Sequence, residues 1–444
     1  MRLTITRTSV EAFLLWLIYA LSLGYATEYA RDTVSARHWI ALAIFGLLAL
    51  FTVFTFRRYR TGLLQIARGA WPLWTYFLLL CSTILVFHRE TFSFELIGYM
   101  VVSGFGFVYL AHCMSQNEAL LVSWIKVNAV VAVVLLPTIL VGMAGIDVFM
   151  GIPIVVKSFY ASYTGIRATG GALELAETLG TQMAIAIPCA WCMYRRSGHW
   201  SYLLVFSAAV FGLVVSQSRG AYAAIYVALA ISYLATRISP RPSIKLASIV
   251  GLIVAPYLAM DLMSQVDFLA NWLRLDLGMS GREGGWEFAS ELVASEPFVG
   301  HGFQQSSELT VIYDTVLHRM GFRAAGASFH NTFISKAVDS GLIVAFSYVM
   351  LFVVPILRDR ELHPDPVRVC IRTVSVVVLV SALFKDMNIG GVRSIALSTT
   401  IFLGLANVLG GRDRLLRRQS SARVTRPEYR DEVVIDAPRE VVTA

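Results

Sequence analysis

The chain has 444 residues, of which 57% are hydrophobic and only 15% are charged, and its mean hydropathy is +0.65. Soluble domains carry about 25% charged residues, and a soluble fold could not bury this much apolar surface, so the composition indicates an integral membrane protein. The net charge of +8 does not indicate nucleic-acid binding, because the basic residues lie in short segments between apolar runs and in a polar C-terminal tail.

Apolar runs of the length needed to cross a bilayer, about 17–25 residues, recur along the chain. They predict an all-α integral membrane protein with about 12 transmembrane helices. The runs lie near residues 10–27, 38–56, 70–88, 94–113, 119–143, 172–194, 200–216, 219–236, 244–262, 330–357, 369–385 and 391–409. Lys and Arg are concentrated in the alternate segments that include both termini, which predicts a multi-pass membrane protein with both termini in the cytoplasm.

This topology divides the chain into four parts. Residues 1–262 hold transmembrane helices 1–9, and residues 330–409 hold helices 10–12. Residues 263–329 form a large periplasmic loop, which is too long to be a simple connection, and residues 410–444 are polar and predict a disordered cytoplasmic tail. Within the loop, the pattern from Glu283 to Ala294 predicts a short amphipathic helix on the membrane surface, with Trp286 at the interface.

Arg219 lies in a very short link between two predicted helices, within Ser218-Arg219-Gly220. An arginine buried near the edge of a bilayer needs an anionic partner, and the planar guanidinium suits a phosphate or diphosphate. The alternative is an arginine whose side chain extends to the lipid headgroups.

His330 marks the point where the large loop re-enters the membrane, followed by Asn331. Histidine is the usual general base near neutral pH, although a single histidine at a helix start is often structural.

Other charged residues share the predicted periplasmic side or lie within the membrane. Arg167 precedes the sixth predicted helix, and Arg282 opens the amphipathic pattern, where it could instead pair with Glu283. Lys385, Asp386 and Arg393 flank the last periplasmic loop and are predicted to line the same vestibule. Lys336 and Asp339 stand one helical turn apart inside the tenth predicted helix, where a local ion pair accounts for them.

Cys189 and Cys192 form a C-x-x-C without a second pair or a histidine cluster, so no metal site is predicted.

The order of these motifs resembles the O-antigen ligase and polysaccharide polymerase superfamily of bacterial inner-membrane glycosyltransferases. The resemblance rests on Ser218-Arg219-Gly220, then Gly281-Arg282, Trp286, Pro297 and Gly300-His301-Gly302 in the large loop, then His330-Asn331. It covers roughly residues 165–350. Many members carry Pro-Asn near the start of the sixth helix, where this chain has Leu173-Glu174, which weakens any role carried over to Arg167 and Glu177.

The resemblance implies metal-independent transfer of a glycan from a polyprenyl (undecaprenyl) diphosphate carrier to an acceptor hydroxyl on the periplasmic face, without a cofactor. Arg219 and Arg282 would bind the diphosphate and stabilise the leaving group, and His330 would act as the base or orient the acceptor. The implied partners are the carrier-linked glycan, an acceptor glycan or lipid A-core, and membrane lipids, with no nucleic acid. The candidate substrate-binding residues are Arg167, Asn331, Trp286, Lys385 and Arg393.

Three functions compete on this sequence. A ligase, slightly favoured by the single large loop before His330, would move a finished glycan onto lipid A-core, and a polymerase would extend an O-antigen or exopolysaccharide. A transporter or flippase for lipid-linked glycans would place its polar residues at mid-membrane and show repeat symmetry, whereas here they gather on one face and in one asymmetric loop.

Overall fold

The structure, a computed structural model, describes most of the chain. The described residues are 6–27, 34–150, 152–157, 168–173, 175–237, 251, 282–319, 329–358, 365–385, 387, 389 and 392–424. Arg167, Asp386 and nearly all of the ninth predicted helix at 244–262 lie outside this set.

Helices of 6 to 26 residues follow one another up to Met143. They are α1 (Arg7–Tyr25), α2 (Val34–Tyr59), α3 (Leu63–Gly69), α4 (Trp71–Phe87), α5 (Phe94–Gly104), α6 (Ala111–Gln116) and α7 (Glu118–Met143). A 3-10 turn, Arg89–Thr91, links α4 to α5, and a π-helical stretch, Phe105–Leu110, joins α5 to α6. Helices α3 and α4 meet at a bend of 65°.

Short strands occupy the segment between α7 and the next helix, where the sequence indicates only a loop. They are β1 (Val148–Phe149), β2 (Ile152–Pro153), β3 (Val155–Lys157) and β4 (Ala168–Gly171), and they form the antiparallel pairs β1–β2 and β3–β4. The backbone N–H of Ala172 donates to the Thr138 hydroxyl, 3.2 Å away, and fixes the end of this segment on α7.

The remaining helices carry the candidate site. They are α8 (Ala176–Ser197), α9 (Ser201–Ser216), α10 (Arg219–Arg237), α11 (Arg282–Ser295), α12 (Gln305–Arg319), α13 (Thr332–Arg358), α14 (Pro366–Phe384) and α15 (Ser394–Val424). The large loop of the sequence therefore contains two helices, α11 and α12, of which the sequence pattern indicated only the first.

Helix α8 lies at the centre of the bundle and packs against α7, α9, α10 and α14. Its buried face is rich in small side chains, which lets neighbouring helices approach closely. A Cβ atom added to Gly212 on α9 would lie 3.0 Å from the Met183 sulfur of α8, a contact that leaves no room for a larger side chain there.

Among the described residues, six helices are long and apolar enough to cross a membrane, or seven if the bent pair α3–α4 is one crossing. Three further apolar stretches are shorter and lie in α9, α10 and α15. The fold is thus mostly helical and compatible with an all-α membrane protein, and twelve crossings stay a prediction.

The expected disordered tail is wrong for its first part, because α15 continues without a break from Ser394 to Val424. Extending an existing helix needs no new nucleus, and the Leu- and Arg-rich sequence after Gly411 has good helix propensity. Residues 425–444 lie outside the described part of the chain.

Candidate functional site

The segment that carries Arg219 is a tight turn between α9 and α10. Helix α9 ends at Ser216, Gln217 takes a left-handed conformation with φ of 48°, and Arg219 begins α10, half-buried. Gly180 of α8 lies against this turn, since an added Cβ atom would stand 2.6 Å from the Cβ of Ser218. The close contact with α8 fixes the position from which Arg219 extends.

The other side of this turn contacts the end of α14. A Cβ atom added to Gly220 would lie 2.7 Å from the Cβ of Phe384, the last residue of that helix. Because Lys385 follows Phe384 directly, the turn that carries Arg219 lies beside the segment that carries Lys385. The contact of a glycine with a phenylalanine therefore brings together the two backbone segments from which Arg219 and Lys385 extend.

Lys385 links α14 to both α8 and the start of α13. Its ammonium donates to the Thr178 hydroxyl, 2.6 Å away, in the first turn of α8. Its carbonyl oxygen accepts from the Thr332 hydroxyl at 2.7 Å, and that hydroxyl in turn accepts from the backbone N–H of Met387 at 2.7 Å. Thr332 begins α13, so the Lys385 segment is tied to the residues around His330.

His330 stands at the entrance to α13 in a left-handed backbone conformation with φ of 50°, and its side chain is half-buried. A non-glycine residue in this region is uncommon and often marks a functional or tightly constrained position. Asn331 follows as the helix cap, because its side-chain oxygen accepts from the backbone N–H groups of Phe333 at 3.0 Å and Ile334 at 3.1 Å. Asn331, predicted to bind substrate, thus uses this oxygen to start the helix.

Trp286 contacts the residue before His330. Its indole N–H donates to the carbonyl oxygen of Phe329 at 2.8 Å, and Ala289, one turn further along α11, packs in a small apolar cluster with Phe329 and Val338. The apolar side of α11 therefore packs against α13 of the same chain. The indole N–H of Trp286 is thus bound to protein, and the interfacial position expected for this residue stays a prediction.

Three further predicted residues, Arg282, Arg167 and Arg393, differ in how much of each the structure describes. Arg282 is the first residue of α11, and its side chain lies outside the described atoms, as does the whole of Arg167. Arg393 is exposed directly before α15, where the adjacent Ser394 hydroxyl donates to the Gln182 side-chain oxygen at 3.2 Å. Gln182 stands one turn from Thr178 on α8, so Arg393 lies at the same end of the bundle as Lys385.

Several residues that organise this region could not be found from the sequence. Thr178, Thr332 and Phe384 join α8, α13 and α14, yet each is an ordinary residue of a helix end. No spacing rule connects positions so far apart in the chain, and the only sequence signal was the position of Thr332 two residues after His330.

The arrangement suits an anionic substrate and a proton transfer. Arg219, Lys385 and Arg393 supply positive charge at one end of the bundle, where His330 supplies an imidazole that can accept a proton. Within the described ranges, no group of three or more His, Cys, Asp and Glu side chains could hold a metal ion.

Residues 202–349 match the family model described as O-antigen ligase. This match supports the resemblance to the O-antigen ligase and polysaccharide polymerase superfamily over that part of the chain. The matched region begins in α9 and ends within α13, so it contains Arg219, Arg282, Trp286, His330 and Asn331, while Lys385 and Arg393 lie beyond it. No curated protein matches the chain.

Proposed function

We propose that this O-antigen ligase-type membrane protein transfers a glycan from undecaprenyl diphosphate to an acceptor hydroxyl on the periplasmic face of the inner membrane. The observation that carries the proposal is the contact of Gly220 with Phe384, which brings the turn of Arg219 beside Lys385. Lys385 is tied through Thr332 to the start of α13, where His330 lies. These contacts support the proposal, because the segments that carry cations for a diphosphate and a base for a hydroxyl contact one another.

The proposed step is a single displacement. The acceptor oxygen attacks the anomeric carbon of the carrier-linked sugar while its proton passes to the imidazole of His330. The bond between that carbon and the diphosphate oxygen breaks, and the lipid diphosphate leaves with the bonding electron pair. The guanidinium of Arg219, together with Arg282 of α11, binds the diphosphate and stabilises the negative charge that grows on it.

Lys385 and Arg393 would extend the positive surface around the diphosphate. Lys385 donates to Thr178, which holds its ammonium at the N-terminal end of α8, and the positive end of that helix dipole adds to the local field. Since a diphosphate is already a good leaving group, cations and positioning suffice, and the proposed reaction needs no metal.

We favour a ligase that uses lipid A-core as acceptor, with a polymerase of the same superfamily as the alternative. The two reactions share the donor and differ only in the acceptor. The test uses purified protein in lipid nanodiscs with a glycan linked to undecaprenyl diphosphate, with and without lipid A-core, and in the presence or absence of EDTA. Transfer only when lipid A-core is present supports the ligase, and chain lengthening without it supports the polymerase.

The same assay can reject the enzyme altogether. Movement of the labelled donor across a vesicle membrane without any new glycosidic bond would indicate a flippase. Loss of transfer in EDTA would contradict the metal-independent step. If the protein is the proposed transferase, Arg219→Ala should lose transfer, and the matched control Arg196→Ala should keep it, because Arg196 pairs with Glu118 at 2.5 Å near the other end of α8.

A further inference from the structure

Helix α13 is interrupted at Gly341, which has φ of 81° and ψ of 167°. In an unbroken helix the carbonyl groups of Val338 and Asp339 would accept from N–H groups one turn ahead. Here they accept from His301 at 2.9 Å and from Gly302 at 2.8 Å, both in the connection between α11 and α12. This connection thus satisfies backbone groups that the break would leave without partners.

The fit between the connection and the break depends on two glycines. Gly300 has φ of 66°, and a Cβ atom there would lie 2.5 Å from the backbone nitrogen of Ser340. A Cβ atom on Gly341 would overlap the carbonyl oxygen of Phe298. The backbone N–H of Leu342 completes the contact by donating to the Pro297 carbonyl at 2.8 Å.

Asp339 adds a side-chain contact at the same place. One oxygen of its carboxylate accepts from the backbone N–H of Ser306 at 2.8 Å, in the first turn of α12. A carboxylate at this position satisfies an N–H group that the helix cannot pair internally and interacts favourably with the positive end of the helix dipole. Asp339 is only 2% exposed, so the bond is shielded from water.

Lys336 neutralises this buried carboxylate. Its ammonium lies 3.4 Å from the second carboxylate oxygen of Asp339 and within about 6 Å of the ring centres of Tyr99, Phe303 and Tyr348. Phe303 belongs to the connection before α12. The Tyr348 hydroxyl donates to the Met387 carbonyl and accepts from the Ile389 N–H, each at 3.0 Å, in the segment that follows Lys385.

We propose that Asp339 and Lys336 are positioning residues of the transfer site. The inference rests on the proposed function and explains how the helices of the large loop are held. Helix α11 is fixed near His330 by the bond from Trp286 to Phe329, and α12 is fixed at the break by Asp339. With both ends anchored, Arg282 begins α11 at a constant place relative to His330. A simple local ion pair would not need the bond to Ser306.

Two double variants isolate that bond. Lys336→Met/Asp339→Asn and Lys336→Met/Asp339→Leu both remove the buried charges, so neither leaves an uncompensated ion. Asn and Leu have nearly the same shape, but only Asn keeps an oxygen that can accept from Ser306. The control is Glu291→Gln, which neutralises an exposed acid on α11. All are made in the full chain, and amide hydrogen exchange over residues 300–312 is measured together with transfer kinetics.

We expect the Leu variant to exchange the amides of residues 300–312 about tenfold faster than the Asn variant, since a hydrogen bond to a buried helix end has been lost. We expect its KM for the lipid-linked donor to rise by up to about tenfold while kcat stays within about twofold, because donor binding must then supply the anchoring free energy that the lost hydrogen bond supplied. Glu291→Gln should change neither quantity.

Equal exchange in the Asn and Leu variants would overturn the anchoring by Asp339. Faster exchange with an unchanged donor KM would overturn the positioning role and leave a purely structural contact. If the wild-type chain transfers no glycan, the proposed function has failed and the positioning role fails with it, whereas hydrogen exchange still decides whether Asp339 anchors α12.

Discussion

The indole N–H of Trp286 donates to the carbonyl oxygen of Phe329 across 2.8 Å, and Phe329 is the residue directly before His330. The backbone of His330 is held from its other side by the cap of Asn331 on α13. His330 adopts its left-handed conformation between these two contacts. The loop helix α11 therefore takes part in fixing the geometry of the proposed base, even though the chain between them includes all of α12.

Replacing Trp286 with Phe removes this hydrogen bond and keeps an aromatic ring. We expect transfer to fall about tenfold, because the buried Phe329 carbonyl loses its partner and the backbone beside His330 is less well fixed. The control is Trp200→Phe, since Trp200 is 69% exposed at the start of α9. Equal transfer rates in both variants would contradict the role of Trp286.

Replacing His330 with Asn removes the imidazole and retains a residue that tolerates the left-handed conformation. We expect transfer to fall about a hundredfold or more, which is the usual contribution of a general base. Membrane insertion and thermal stability should match the wild type, and this distinguishes lost chemistry from lost folding. His199→Asn, in an exposed link, is the control and should retain full transfer.

Replacing Arg219 with Lys keeps the charge but loses the planar fork that can bind two phosphate oxygens. We expect transfer to fall about tenfold or more, with Arg195→Lys as the exposed control near the opposite end of α8. Wild-type transfer in Arg219→Lys would mean that the side chain only reaches lipid headgroups. The rate should be measured over a range of donor concentrations so that binding and turnover are separated.

The positions of most helices could be predicted from the sequence, because a sufficiently long apolar run by itself indicates a membrane helix. The sequence also singled out the residues at the short turn before Arg219 and at the start of α13. Contacts between segments that are distant in the chain could not be predicted from the sequence. Asn331 is one example, since its role as the helix cap depends on where α13 begins. Trp286 is another, because an amphipathic pattern does not tell whether protein or lipid covers the apolar side of a helix.

The break in α13 could not be predicted for the same reason. Gly341 lies in an apolar run that predicts one continuous helix, and a single glycine in such a run is usually tolerated. The break exists because the segment that begins at Pro297 supplies replacement hydrogen bonds from another part of the chain. The local pair of Lys336 and Asp339 was predicted correctly, but its bond to Ser306 needed the folded loop.

Replacing Gly220 with Ala tests the contact that brings the site together. The added Cβ atom would lie 2.7 Å from the Cβ of Phe384, so either α10 or the end of α14 must shift. We expect a loss of stability of about 1–3 kcal/mol, as for other overpacked sites. Transfer should fall further than this loss explains, because the shift changes the separation of Arg219 and Lys385.

Gly46→Ala on α2 is the control, since nothing lies within 4 Å of its added Cβ atom. Thermal unfolding and transfer are measured on the same samples, and a Gly220→Ala variant that is destabilised yet fully active below its melting temperature would show that the two cations need not be held together.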